Sequence, residues 1–263
     1  MADEQAIGIF DSGVGGLSVL AHIHQRLPGE SLLYIADSAY MPYGCKPESV
    51  IQQRCVEISE FLSRQQCKAI VVACNTATAA AVHHLRASYS FPVIGMEPAV
   101  KPAVLHSRSK VIGVLTTSAT STSDKFNRLA ARFAQHARLI VQPCPGLVER
   151  IESGDLTGNK TRDMLSSFLQ PLMRQGMDTL VLGCTHYPFI TALIRDIAGG
   201  NIHIIDTGDA IACELERQLQ NRQLLSESKT ASIEFWSSGD ADKIAPVMSL
   251  LWGDKIMVKK LPF

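Results

Sequence analysis

The sequence predicts an α/β protein of two similar lobes, each with a mostly parallel central sheet. Three observations carry that expectation. Short apolar runs alternate with helix-spaced segments along the whole chain, the runs are unbroken, and two stretches near the N-terminus recur further on. Strand and helix in regular alternation describe a sheet flanked by helices.

The apolar runs fall at 7–10, 31–36, 69–73, 93–95, 111–115, 139–142, 179–183 and 202–205. A strand covered on both faces has no polar side to show, so continuous apolar character suits a parallel sheet. Helical spacing appears at 17–27, 49–64, 77–87, 122–135 and 161–175. The recurrence lays residues 7–12 on 112–117 and 69–76 on 179–186 at nearly one offset. Any two α/β halves look somewhat alike. The reading with more content is two lobes of like build, each ending a strand on a cysteine. The first lobe is expected to be 1–97 plus 209–263 and the second 98–208. Glu97-Pro98 and Asp206-Thr207-Gly208 supply turn chemistry where the chain crosses. Ligands in such folds sit at the carboxyl ends of the strands, so residues just after each run matter most.

Composition narrows the function. Lys+Arg and Asp+Glu both number 25, so the formal net charge is zero, which argues against a nucleic acid or an anionic membrane surface as main partner. The start, Met1 to Gln5, lacks the basic and apolar stretches of a secretory signal, and no apolar segment is long enough to span a bilayer. A cytoplasmic protein is expected. The seven cysteines (45, 55, 67, 74, 144, 184 and 213) are odd in number and widely spaced, without a C-x-x-C pair. That pattern speaks against a disulfide framework and a structural zinc site.

Two of these cysteines stand apart. Cys74-Asn75-Thr76 and Cys184-Thr185-His186 each follow an apolar run. Backbone N–H groups of the next turn and the positive end of the next helix stabilise a thiolate there. Free cysteine has a pKa of about 8.5, so modest help makes it a base at neutral pH. The same N–H groups, with the Asn75, Thr76 and Thr185 side chains, suit a substrate carboxylate. Either cysteine alone would read as an inert buried thiol. Together they suit a reaction in which one thiolate takes a proton from carbon and the other thiol returns one to the opposite face.

The loop Asp11-Ser12-Gly13-Val14-Gly15-Gly16 follows the first run. A dinucleotide loop competes here, because Asp37 ends the next run at about the right distance. Ser18 replaces the third glycine, however, and Asp11 would stand beside a pyrophosphate. Asp11 and Ser12 are better suited to an ammonium group, or Asp11 to the proton leaving Cys74. Pro42-Tyr43-Gly44 reads locally as a turn. Glu152 would ordinarily be a solvated helix-end carboxylate. His186 is better placed to tune the Cys184 thiol than to bind a metal, since no third ligand is evident. The histidines at 22, 24, 83 and 84 read as helix residues without a role.

At these residues the chain resembles the aspartate/glutamate racemase superfamily, and within it the glutamate racemases. The likeness runs from Phe10-Asp11-Ser12-Gly13-Val14-Gly15-Gly16 through Pro42-Tyr43-Gly44 and Ala73-Cys74-Asn75-Thr76. It continues through Cys144-Pro145, Glu152-Ser153-Gly154 and Gly183-Cys184-Thr185-His186-Tyr187-Pro188 to Asp206-Thr207-Gly208. The resemblance implies two α/β domains related by a pseudo-twofold axis, with the active site in the cleft between them. It implies no cofactor, neither pyridoxal phosphate nor metal. Cys74 and Cys184 match the two catalytic bases, and Asp11, Glu152 and His186 the polar groups that assist them. Asp11-Ser12, Tyr43-Gly44, Asn75-Thr76 and Thr185-His186 match the substrate-binding pairs. L- and D-glutamate as substrates, D-glutamate for bacterial peptidoglycan, and a homodimer are also implied. Two departures, Cys45 after Tyr43-Gly44 and Ala119 where glycine is usual, bear on substrate fit. The chain begins almost at its first strand, so activation by a cell-wall precursor through an N-terminal extension is in doubt. An aspartate or hydantoin racemase, or a two-lobed amino-acid-binding protein without chemistry, are the rivals.

Overall fold

The computed structural model describes residues 5–226, 228 and 231–263. Met1 to Glu4, most of the polar start discussed above, lie outside the described residues. The elements in chain order begin β1 (Ile7–Asp11), α1 (Leu17–Arg26), β2 (Leu32–Ala36), α2 (Glu48–Arg64), β3 (Ala69–Val72), α3 (Asn75–Ser88) and β4 (Val93–Gly95). Then come α4 (Val100–His106), β5 (Val111–Thr116), α5 (Ser118–Thr122), α6 (Asp124–Phe133), β6 (Arg138–Pro143), α7 (Leu147–Glu152), α8 (Asn159–Arg174), β7 (Thr179–Leu182), α9 (Thr191–Ala198) and β8 (His203–Ile205). The last are α10 (Gly208–Asn221), β9 (Ile233–Ser237), α11 (Ala241–Trp252) and β10 (Val258–Lys260).

The chain forms two compact units, Met1–Met96 with Gly208–Phe263, and Glu97–Thr207. The first holds a six-stranded sheet in the order β10-β9-β2-β1-β3-β4, and every pair is parallel. Strands β1, β2 and β3 are buried at every position, which is why they read as unbroken apolar runs. The core on one face gathers Phe10, Ile35, Ile58, Leu62, Val72 and Leu85, among others.

The second unit holds a four-stranded parallel sheet in the order β6-β5-β7-β8. One core cluster packs Val100, Ile112, Val114, Phe126, Leu129 and Val181. The expected helix over 122–135 is α6, Asp124–Phe133, and Thr122 is the last residue of the short helix α5 before it. Ser123 between them is extended (φ −69°, ψ 141°), and its hydroxyl accepts the Phe126 N–H to cap α6.

The sequence recurrence has a structural counterpart. Strands β2-β1-β3-β4 of one sheet and β6-β5-β7-β8 of the other follow the same order. Ile7 pairs with Ala69 in the first sheet, and Ile112 with Thr179 in the second. These are the residues that the sequence repeat superposes. The equivalence continues past the strands, where Ala73 N–H donates to Phe10 O and Gly183 N–H to Leu115 O, both at 2.7 Å. Cys74 and Cys184 thus follow equivalent strands in the two units.

Candidate active site

On the first unit, β1 ends in Asp11, which is fully buried. Its carboxylate accepts the Ser12 and Gly16 N–H groups, each at 2.7 Å, and the Ser12 hydroxyl at 3.3 Å. Tyr34 donates its hydroxyl to Gly13 O at 2.8 Å. Gly16 has a steric reason: a Cβ there would lie 2.8 Å from Asp11 Cβ and 3.0 Å from the Tyr34 ring. Two amides of the loop, those of Ser12 and Gly16, are therefore spent on Asp11.

Strand β3 delivers Cys74 to the N-terminus of α3. Cys74 is the N-cap, extended at φ −139° and ψ 125°, and its Sγ accepts the Ala77 N–H at 3.4 Å. Its thiol also reaches the Ser12 hydroxyl at 3.8 Å. Asn75, the next residue, is 6% exposed, and neither its amide oxygen nor its amide nitrogen has a partner among the described residues. A buried amide with both ends unsatisfied is costly unless a bound group completes it. Thr76 is buried beside it.

Tyr43 is buried, and its hydroxyl donates to Asp37 at 2.6 Å. Gly44 is half-buried and Cys45 exposed. Asp37 also binds Arg54, so this acid, considered above for a ribose, is already occupied.

On the second unit the surroundings of the cysteine differ. Cys184 is buried, and a 3-10 turn (Tyr187–Ile190) carrying Pro188 follows it in place of a long helix. Cys184 Sγ lies 3.6 Å from His186 Nδ1, and His186 Nε2 lies 2.6 Å from Glu152 Oε1. The His186 and Glu152 side chains are 3% and 4% exposed, so Glu152 is a buried partner and not the solvated carboxylate its local sequence suggests. Burial alone would lower the His186 pKa, but its bonds to Cys184 and Glu152 override that and hold it well above the usual imidazole value. That direction favours the protonated ring, whose two nitrogens face the Cys184 sulfur and the Glu152 carboxylate. Thr185 is buried between Cys184 and His186 in sequence.

Residues that sequence reasoning passed over complete this side. Tyr187 donates to Thr116 O at 3.3 Å. Cys144 donates its N–H to the same carbonyl at 2.9 Å, and burial pushes its thiol up to about 12. Cys144 is thus an uncharged thiol, unlike a working base. Among the described residues no group of three or more His, Cys, Asp or Glu side chains is gathered as a metal site. Nor is any described helix long and apolar enough to cross a membrane.

The site thus presents two thiols on equivalent strand ends, one capping a helix and one against a buried His–Glu pair. The chain belongs to the Asp/Glu/Hydantoin racemase family, whose model matches residues 7–215. Within it, the chain is 54% identical over 264 residues to the glutamate racemase of Stutzerimonas stutzeri (strain A1501), covering 100% of both chains. Among solved structures it is similar to glutamate racemase isoform RacE1 of Bacillus anthracis, with a TM-score of 0.91 and 32% identity over 99% of this chain and 98% of that one. The Escherichia coli glutamate racemase, solved with L-glutamate and the activator UDP-MurNAc-ala, has a TM-score of 0.87, 30% identity and 98% coverage of each chain.

Proposed function

We propose that the protein interconverts L- and D-glutamate by a two-base proton transfer between Cys74 and Cys184. The observation that carries the reading is the pair of cysteines on equivalent strand ends, each within reach of polar groups suited to a thiolate. One cysteine, as thiolate, takes the α-proton. The other, as thiol, gives a proton to the opposite face of the carbon, so the two exchange states with each turnover. The carbanion-like transition state needs fixed dipoles. The Asn75 amide, without a partner among the described residues, and the hydroxyls of Ser12, Thr76 and Thr185 would supply them. Asp11 and the His186–Glu152 pair would assist Cys74 and Cys184 respectively. Tyr43-Gly44 would help hold the substrate.

The reaction draws on no cofactor, because acid, base and electrostatic support are all protein groups. Relatives at 54% and 30% identity carry the name glutamate racemase, which favours glutamate over aspartate or hydantoins. The family likeness extends the reading to D-glutamate for bacterial peptidoglycan, made by a cytoplasmic homodimer. Incubation with L-glutamate in deuterated buffer, without cofactor, tests it. Optical activity should decay to zero, with deuterium entering chiefly the new D-glutamate at early times. Equal early labelling of both enantiomers would point to a single base, and turnover of aspartate alone would sink the substrate assignment.

A further inference from the structure

Behind the Tyr43-Gly44 turn lies a buried charged cluster that the reaction above does not use. Asp37, at the end of β2, is fully buried, and Arg54 of α2 is 4% exposed. Arg54 grips the Asp37 carboxylate with a fork, Nε to Oδ2 at 3.1 Å and Nη2 to Oδ1 at 2.8 Å. Its guanidinium lies over the Tyr40 ring, 4.0 Å from the centroid, and also pairs with Glu57. Asp37 Oδ2 also accepts the Tyr43 hydroxyl, so tyrosine and guanidinium share that oxygen, and the Asp37 backbone N–H donates to Asp11 O at 2.9 Å.

The turn these groups hold is short. Tyr43–Cys45 is a single 3-10 turn, and Cys45, Lys46 and Pro47 after it are exposed. Tyr43 is the buried side chain of this stretch, packed in the same cluster as Cys74. A turn of three residues does not fix its own orientation, so its placement follows from where Tyr43 is held. A guanidinium fork on a carboxylate fixes direction as well as distance.

We propose that Asp37 and Arg54 are positioning residues. They lock Tyr43, and through it set the Tyr43-Gly44 turn at the geometry that glutamate binding requires. The inference rests on the glutamate-binding reading of that turn. Their effect falls on substrate affinity more than on proton transfer, because they touch neither thiol.

Arg54→Lys tests this, since lysine keeps the charge opposite Asp37 but loses the fork. A second variant, Asp37→Asn with Arg54→Met, removes both charges and leaves neither buried alone. Each is first shown to melt cooperatively by circular dichroism, and then kcat and KM are measured for both enantiomers. The expected result is a KM raised about tenfold with kcat within threefold of wild type, the pattern of lost uniform binding. In a Tyr43→Phe background Arg54→Lys should add little further, because its action runs through the tyrosine hydroxyl. A folded variant with KM within twofold of wild type, a fall confined to kcat, or full additivity with Tyr43→Phe would each overturn the proposal. Failure of wild type to turn over glutamate would instead overturn the reading on which it rests.

Discussion

Replacing Glu152 by glutamine should weaken both the second unit and the reaction, and the structure sets the scale. The His186–Glu152 contact is 2.6 Å, with both side chains nearly dry. Removing one partner of such a pair strands the other charge and costs about 3–5 kcal/mol. At roughly 3 °C per kcal/mol for a domain above 100 residues, the melting midpoint should drop by about 10 °C. The effect has a pH signature. His186 holds a folded-state pKa above its unfolded value of about 6.5, so its contribution to stability is full below that value and is lost as pH rises through the folded one. The gap between wild type and Glu152→Gln should therefore be widest near and below about pH 6.5 and narrow above it. Catalytically, loss of the group that orients and charges His186 should lower kcat/KM by about 10²-fold. Enantiomers have equal free energies, so kcat/KM must fall by the same factor in both directions, whereas kcat and KM separately need not. The assays are melting curves at several pH values and racemisation followed by circular dichroism from each enantiomer. A midpoint within 2–3 °C of wild type at every pH (under about 1 kcal/mol), with kcat/KM within twofold, would refute the assigned role of the pair.

Other expectations follow from the same geometry. Cys74→Ser and Cys184→Ser should each reduce racemisation by about 10²–10⁴-fold while glutamate binding, measured calorimetrically, is largely spared; wild-type rates in both would end the two-base reading. Asn75→Ala removes a side-chain amide that makes no bond among the described residues, so the melting point should hold or rise while KM increases. A lower melting point with unchanged KM would show that the amide serves the fold. Gly16→Ala sets a methyl against Asp11 and Tyr34 and should cost about 1–3 kcal/mol in urea unfolding, with activity reduced as Asp11 is displaced. Lys68 and Glu30 form a buried pair at 2.7 Å, so Lys68→Met alone should destabilise by about 3–5 kcal/mol, with much of the loss recovered when Glu30→Leu is added.

The central strands were legible because burial on both faces leaves an unbroken apolar run. Strands β9 and β10 escaped notice for the opposite reason. Glu234 lies within β9, and β10 is an edge strand ending in Lys259 and Lys260, both exposed. Helices α4 and α7 are seven and six residues long, too short to show a period. In α11 Met248 alone is fully buried and Pro246 interrupts the pattern. At the candidate site, each cysteine could be found because a polar motif directly follows an apolar run. Glu152 could not be matched to His186 by local reasoning, since the two are 34 residues apart and meet only through α7 and the loop after β7. The Asp37–Arg54 pair is hidden in the same way: Asp37 reads as a strand-end acid and Arg54 as an ordinary helix charge until β2 and α2 bring them together.

The internal repeat also shows where the two halves diverge. Equivalent positions pair Cys74 with Cys184, but Asp11 with Thr116, Asn75 with Thr185 and Thr76 with His186. The strand ends are kept and the groups around the sulfur are not. Beside Cys74 stand the Ala77 N–H, the Ser12 hydroxyl and the neighbouring Asp11 loop; beside Cys184 stands the His186 imidazole backed by Glu152. A racemase must present a base to each face of one carbon, yet its substrate is chiral, and the carboxylate and ammonium groups fall differently toward the two bases. Identical surroundings would suit only one of them. On the proposed two-base reading, duplicating a strand-end thiol on two like sheets would provide the pair, and differentiating its neighbours would fit each thiol to the face it serves. Changes at Asp11 and at His186 should therefore affect kcat unequally in the two directions.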